Sequence, residues 1–437
     1  MIISSSYFAA TTNTVYSPQS THELQNAIND CVGVSSAGDC STPNGPMSEW
    51  DVSRIADISY LFTGKSSFNQ DLSRWDVSQV TIMDWMFSSC RTFNQDLSDW
   101  VVSKVTSMSY TFYNARSFNG DLSKWNVSQV TETNSMFHGS NAFNQDLSKW
   151  VVSRVTKMHM MFRGATVFNQ DLSNWDVSGV TNTNNMFNGA TSFNQDLSKW
   201  DMSSVTNMQG MFRSASAFNQ DLSGWDVSSA TDMSAMFREA TSFNQKLSQW
   251  DVSKAVRMDA MFYGVSAFDQ DLSRWDVSKV TDMNQMFAAN VRFNQDLSEW
   301  DVSRVTDTAG MFRGAGFFNQ DLSGWDVSKV TKMSEMLRSA GSFNQDLSTW
   351  DVSKATDTDL MFYRAISFNN DLSQWDVSRV TNMDEMFAYA QSFNQELCGK
   401  DWVDSQATKS NIFRGSSGRF STRVCGALQC TIFSFHF

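Results

Sequence analysis

The residues of this chain with chemistry to offer are two serine columns, two aspartate columns, four histidines and six cysteines. Ser73 and Ser78 typify the serines, which recur every 25 residues. A nucleophilic serine needs a base within reach, and neither column has a recurring His or Lys base at a sensible offset. Asp71 and Asp76 typify paired carboxylates, but pairs occur in nearly every unit and so do not mark one glycosidase centre. Catalysis requires a few unlike groups converging on one spot, whereas translation by a fixed period makes rows of like groups. No glycine-rich phosphate loop is present. The expectation is a protein that is not an enzyme and has no cofactor.

The Asp76 column poses an electrostatic problem. In an in-register parallel stack its carboxylates would lie about 5 Å apart and repel. Three positions on, Arg54, Lys104, Arg154, Lys254, Lys279, Arg304, Lys329, Lys354 and Arg379 supply a basic column. The preferred reading is that each Asp bonds nearby Ser hydroxyls or backbone N–H groups and is screened by these cations. The rival is calcium held between adjacent carboxylates, with Asp226, Asp251, Asp276 and Asp301 as candidates. The Asp71 column, beside Asn69 and Gln70, has the same two readings.

A different column varies while its neighbours repeat. It runs Arg74, Asp99, Lys124, Lys149, Asn174, Lys199, Gly224, Gln249, Arg274, Glu299. Folding does not dictate its charge or size, so it is the candidate surface for partner specificity, against the plain reading of a tolerant solvated row. Asn126-Val127-Ser128, where Asn replaces the column Asp, is the one glycosylation sequon. Five cysteines lie near the ends: Cys31, Cys40, Cys398, Cys425 and Cys430. With no CxxC pair and with His22, His138, His159 and His436 scattered, disulfides are preferred to zinc. Cys31 with Cys40, plus one pair among the last three, is the expected arrangement, and it fits an oxidising compartment. Cys90 reads as a small buried hydrophobe.

The elements that must position these columns follow from one period. Fourteen tryptophans, Trp50 to Trp375, are spaced by 25 residues without insertion, and Phe68 to Phe393 form a second such series. A fixed period in this range signals a solenoid whose units bury their apolar faces against their neighbours. The 437 residues therefore make one domain rather than several. The formal charge of -13 is largely architectural, because the two Asp columns hold 23 of the 46 acids. With no basic tail or patch, nucleic acid is not an expected partner. No run reaches the roughly 18 apolar residues of a membrane span.

Within a unit, Leu72, Trp75, Val77 and Val80 follow leucine-rich-repeat spacing. Alternation at Trp75 and Val77 predicts a short strand with Arg74, Asp76 and Ser78 outward. Thr81 is then expected to cap a short helix whose Met83, Met86, Phe87 and Cys90 fall at i, i+3, i+4 and i+7. The predicted fold class is an α/β solenoid of about fourteen repeats, one parallel strand and one helix in each. Residues 1–46 form an N-terminal flank with a capping helix over 19–32, residues 47–397 the solenoid, and residues 398–437 a C-terminal cap or tail.

The run Phe-Asn-Gln-Asp-Leu-Ser-x-Trp-Asp-Val-Ser-x-Val-Thr-x-Met, as in 68–83 and 268–283, resembles the BspA-type leucine-rich-repeat surface proteins. These include Mycoplasma surface lipoproteins, and the likeness covers about residues 47 to 397. Val101, Val151, Asn126, Lys246 and Leu337 depart from the pattern. The resemblance implies a non-catalytic extracellular or cell-surface protein for adhesion or recognition of a protein or glycan. The first residues, Met1-Ile2-Ile3-Ser4, carry neither the basic region nor the apolar stretch of a signal peptide. Two alternatives stand beside adhesion: a structural spacer without a ligand, and an ice-binding face built on the Thr81 ladder.

Overall fold

The structure is a computed structural model that describes residues 15–39 and 44–425. Its body is a solenoid of 25-residue coils in which the expected strand and helix are both replaced by turns. Among the described residues the regular elements are few and terminal. They are helix α1 (Thr21–Val34), a short 3-10 helix (Met47–Glu49), strand β1 (Glu396–Leu397), helix α2 (Lys400–Asp404) and strand β2 (Arg419–Phe420).

The helix expected after Thr81 does not form. Its inward stripe is correct: Met83, Met86, Phe87 and Cys90 are all fully buried. The backbone bonds, however, leave the coil. Met83, Trp85, Phe87 and Ser89 donate their N–H groups to Ser107, Ser109, Thr111 and Tyr113 of the next coil, at 2.6 to 3.1 Å. Between them, Met86, Ser88 and Cys90 close turns onto Met83, Trp85 and Phe87. Chained turns of this kind need left-handed residues, and Trp85 (φ 60°) and Ser89 (φ 61°) supply them. Equivalent positions in other coils hold Gly210 and Gly310, or Gly139, Gly164 and Gly189, which take that conformation without a Cβ penalty. Two such residues in one turn of chain are incompatible with an α-helix.

The strand expected at Trp75 is likewise absent, although its alternation holds: Trp75 and Val77 are buried while Arg74 and Asp76 are exposed. The segment is built of side-chain turns instead. Asp71 accepts the Ser73 N–H at 2.8 Å and Asp76 accepts the Ser78 N–H at 3.0 Å. The indole of each column Trp ties this wall to the preceding coil, as when Trp100 donates to the Leu72 carbonyl at 3.0 Å. A one-residue parallel bridge per coil, running from Asp57 through Ile82 to Thr408, marks the register. Thr81 bonds the Ala56 carbonyl through both its N–H and its hydroxyl, so it links coils rather than capping a helix.

The core is three stacked aromatic ladders. Phe87 lies 5.5 Å from Phe62 in the preceding coil and 4.2 Å from Phe93 in its own. The indoles of Trp100 and Trp125 stack at 6.4 Å. Cys90 is buried beside them, its thiol donating to the Phe62 carbonyl; burial pushes it up to about 12.

An end of such a stack exposes unpaired backbone groups, and at the first coil these are covered by a helix. Helix α1 is started by Ser20, which accepts the Glu23 N–H, while Glu23 accepts the Gln19 N–H. It buries Leu24, Ala27, Ile28 and Cys31. From the same helix Thr21 and Gln25 donate to the Asp57 and Leu61 carbonyls of the first coil. At the far end the ladder continues past residue 397, where the repeat pattern decays. Met383, Glu385, Phe387 and Tyr389 donate to Thr408, Ser410, Ile412 and Arg414. Trp402, two residues late in sequence, donates to the Leu372 carbonyl at 2.8 Å and occupies the next place in the tryptophan ladder.

Candidate functional site

The laddered side of the coil, from the bridge residue to the second left-handed residue, is where repetition stops. The inward members are mostly Met and Phe, with buried Thr111, Thr133, Thr183, Thr308 and Thr358 among them, while the outward ones change from coil to coil. The column of Trp85 runs Tyr60, Trp85, Tyr110, Ser135, Met160, Asn185, Gly210. The column of Ser88 runs Thr63, Ser88, Tyr113, His138, Arg163, Asn188, Arg213. Several variable columns therefore lie abreast on one face.

In the first coils the columns of Trp85 and Ser88 are aromatic and carry no charged residue. Trp85 stacks on Tyr110 with ring centroids 3.9 Å apart and planes within 6°, and Tyr60 continues the row at 6.1 Å. Tyr113 is canted across them, 47° from Trp85 and 52° from Tyr110, and meets His138 edge-on at 4.7 Å. Tyr60 is 56% exposed. Of the 16 tryptophans, Trp85 alone is not buried.

Polar groups border the rings. Asp84 accepts from the Ser107 hydroxyl at 2.6 Å and the Ser109 N–H at 2.8 Å; burial nevertheless pushes its carboxyl up. Burial, then the Arg163 charge, lowers His138 to about 4, and burial with Lys157 lowers His159. Both imidazoles are neutral at neutral pH. In the same three coils the Ser109, Asn134 and Ser135 side-chain oxygens, and Nδ1 of His138 and His159, are buried without a hydrogen-bond partner. Native proteins leave few such groups, and each calls for a water or a ligand.

Further along, the face becomes charged. Arg238 lies over Tyr263 at 4.3 Å, and Arg313 reaches the same tyrosine's hydroxyl at 3.3 Å. Arg338 and Arg364 flank Tyr363 at 5.1 and 5.4 Å. Glu335 pairs with both Arg313 and Arg338 at 3.1 Å. Asp359 is raised to about 6, first by burial and then by Asp357.

The sequence-derived candidates lie elsewhere. Arg74, Asp99, Lys124, Lys149, Asn174, Lys199, Gln249, Arg274 and Glu299 are all exposed in a single-file row at a corner. Lys124 pairs with Asp99 of the previous coil at 3.2 Å, beside a shallow depression of about 230 Å³ that Val101 and Asn126 also line. Asp226, Asp251, Asp276 and Asp301 each accept the N–H of the Ser two residues on, at 2.9 to 3.0 Å. The charges of Lys254 and Lys279 lower Asp251 further, and elsewhere in the basic column Lys104 and Arg154 donate to Gln79 and Gln129 at 2.6 Å. Among the described residues no three His, Cys, Asp or Glu converge as metal ligands. A disulfide joins Cys398 to Cys425, and Cys31 is disulfide-bonded; Cys40 and Cys430 lie outside the described residues.

What sequence reasoning missed is the variable face itself. The signal was present in the columns of Ile82, Asp84, Trp85 and Ser88, whose variation reads as helix surface once a helix is assumed.

No curated protein matches the chain. Among solved structures, it is similar to a leucine-rich repeat protein from Bacteroides ovatus, at 10% identity and TM-score 0.36, over 78% of this chain and 80% of that one. A chain of the Toll–Spätzle complex of Drosophila is similar at 10% identity and TM-score 0.20, over 72% and 50%. The functional domain of InlJ from Listeria monocytogenes, which includes a cysteine ladder, is similar at 12% identity and TM-score 0.20, over 78% and 65%. Among the described residues no helix is long and apolar enough to cross a membrane. Four tandem matches, at residues 34–150, 139–250, 242–340 and 318–424, take in the whole solenoid, and the chain belongs to the family described as "Mycoplasma protein of unknown function, DUF285".

Proposed function

We propose that this protein is a non-catalytic recognition module, exported to the cell surface or beyond, that engages a protein or glycan partner along its laddered face. The observation that carries this reading is the stack of Trp85 on Tyr110. Large rings stand there at left-handed positions that Gly210 and Gly310 occupy in other coils. A left-handed bulky residue costs about 1–2 kcal/mol, and strain kept at a partly exposed position outside the buried core suits recognition. Variable groups at one-coil spacing suit weak contacts multiplied along a length. Export is supported by the bridge between Cys398 and Cys425 and by disulfide-bonded Cys31. The grouping with BspA-type surface proteins is part of the same proposal and rests on the repeat motif.

The test is attachment of the immobilised full chain to cultured cells and matrix proteins. Trp85→Gly with Tyr110→Gly, combined with Arg238→Ser and Arg338→Ser, is expected to reduce attachment at least about tenfold. Charge reversal at Lys124, Lys149 and Lys199 asks the same of the corner row. Attachment that survives both sets would leave the spacer reading in its place.

A further inference from the structure

Resting on that reading, we infer that the aromatic start of the laddered face is a binding site for a neutral oligosaccharide. Three independent observations converge there. Tyr60, Trp85 and Tyr110 form a row along the solenoid axis, and Tyr113 is inclined about half a right angle to it, at 47° and 52°. The rings thus make a corner rather than a flat wall. A sugar ring, with apolar C–H faces and polar edges, packs against such aromatic walls while its hydroxyls seek hydrogen bonds.

The second observation is the set of unsatisfied polar atoms in the coil of Tyr110 and the one after it. Ser109, Asn134 and Ser135 are 6%, 7% and 0% exposed, and their side-chain oxygens have no partner. They adjoin the rings in register: Ser135 is the next member of the Trp85 column, and Ser109, abreast of Tyr110, and Asn134 are successive members of the adjacent one. Together they offer two hydroxyls, each donor or acceptor, and an amide oxygen acceptor. That combination suits the donor and acceptor character of sugar hydroxyls.

Charge is the third. The chain carries -13 overall, yet the columns of Trp85 and Ser88 hold no ionised group from Tyr60 to His138, and the flanking Asp57 accepts the Ser59 N–H. His138 is neutral, and the nearby Asp84 carboxylate is engaged by Ser107 and Ser109. Beyond it Lys157 is paired with Glu132 at 2.9 Å. A cationic ligand would find no free carboxylate, and an anionic one no free cation among these columns. An uncharged, hydroxyl-rich ligand is the complementary chemistry.

The probe is a panel of neutral gluco-, manno-, galacto- and N-acetylated oligosaccharides, presented to the full chain on an array and then titrated in solution. Because Trp85 is the one tryptophan that is not buried, its emission reports binding directly: an occupied site protects it from acrylamide. The expected result is binding by at least one neutral series, with protection of the quenchable emission. Trp85→Gly or Tyr110→Gly should weaken that binding at least about tenfold while the melting temperature holds, since glycine suits the left-handed backbone. Arg292→Ser, an exposed residue of a distant coil outside the laddered face, should leave it unchanged. The inference is overturned if no neutral saccharide binds, or if Trp85→Gly binds as the parent does. Loss of cell attachment without any saccharide binding would sink the sugar site alone. Saccharide binding that needs Trp85, in a chain whose attachment ignores it, would sink the broader recognition reading instead.

Discussion

Trp75 and Trp85 stand ten residues apart in one coil and have opposite roles. Trp75 is buried, donates its indole N–H to the Met47 carbonyl at 2.9 Å, and has a counterpart in every coil. Trp85 is only partly buried, stands at φ 60°, and is the one tryptophan of its column. The first belongs to a wall where each side chain ties one coil to the next, so translation preserves it. The second belongs to a face where backbone bonds already do the tying. Side chains on that face are released from holding the fold and are free to vary. The difference teaches where to look for specificity in a periodic molecule: on the side whose main chain closes its own ladder.

The comparison breaks if the two walls respond alike to substitution. The largest expected effect is at the tryptophan wall. Trp225→Ala, which removes a buried ring and its bond to the Leu197 carbonyl, should cost about 3–5 kcal/mol in urea unfolding. At the turn beside it, Asp251→Ala should cost about 1 kcal/mol, the value of a lost cap that receives the Ser253 N–H. Trp85→Gly should change stability by less than about 1 kcal/mol, because relief of the strained backbone offsets the removal of ring stacking on Tyr110.

Acid titration sharpens the same contrast through its sign. Hydrogen bonds from Ser253 and Ser303 hold Asp251 and Asp301 below the usual carboxylate range. Their contribution is present above the unfolded value of 3.8 and is lost as pH falls through the lowered folded value. On the laddered face Asp359 is raised to about 6, so the folded chain holds an extra proton between 3.8 and 6. Stability falls as pH rises through that window. Asp359→Asn should therefore raise the melting temperature at about pH 7 by the equivalent of less than about 1 kcal/mol, solvent screening included. At about pH 3.5 it should do nothing. An equal effect at both values would show that Asp359 is not held in the low-dielectric setting described.

Much of the solenoid was legible in the residues themselves. The Trp50 to Trp375 spacing marked the coil, and Met83, Met86, Phe87 and Cys90 were all correctly placed inside. The error lay in what the stripe meant. Spacing at i, i+3, i+4 and i+7 states which side chains face the core, and a helix and a chain of turns satisfy it equally. Positions such as Asn114, Gly139 and Gly164 carried the left-handed signal, but Trp85 and Tyr110 obscured it at the neighbouring column. The corner row of Arg74 was visible because its flanks repeat on both sides. The laddered face was not, because its variation looked like ordinary helix surface.

By itself, then, the sequence determined the period, the buried columns and the single continuous core, since burial depends on side-chain type and type repeats every 25 residues. Only the tertiary structure decided where the backbone N–H groups go. Met83, Trp85, Phe87 and Ser89 find carbonyls in the next coil rather than four residues back, a choice that exists only once a second coil is stacked on the first. That choice flattens the segment into a face, sets Trp85 on Tyr110, and puts the variable columns side by side.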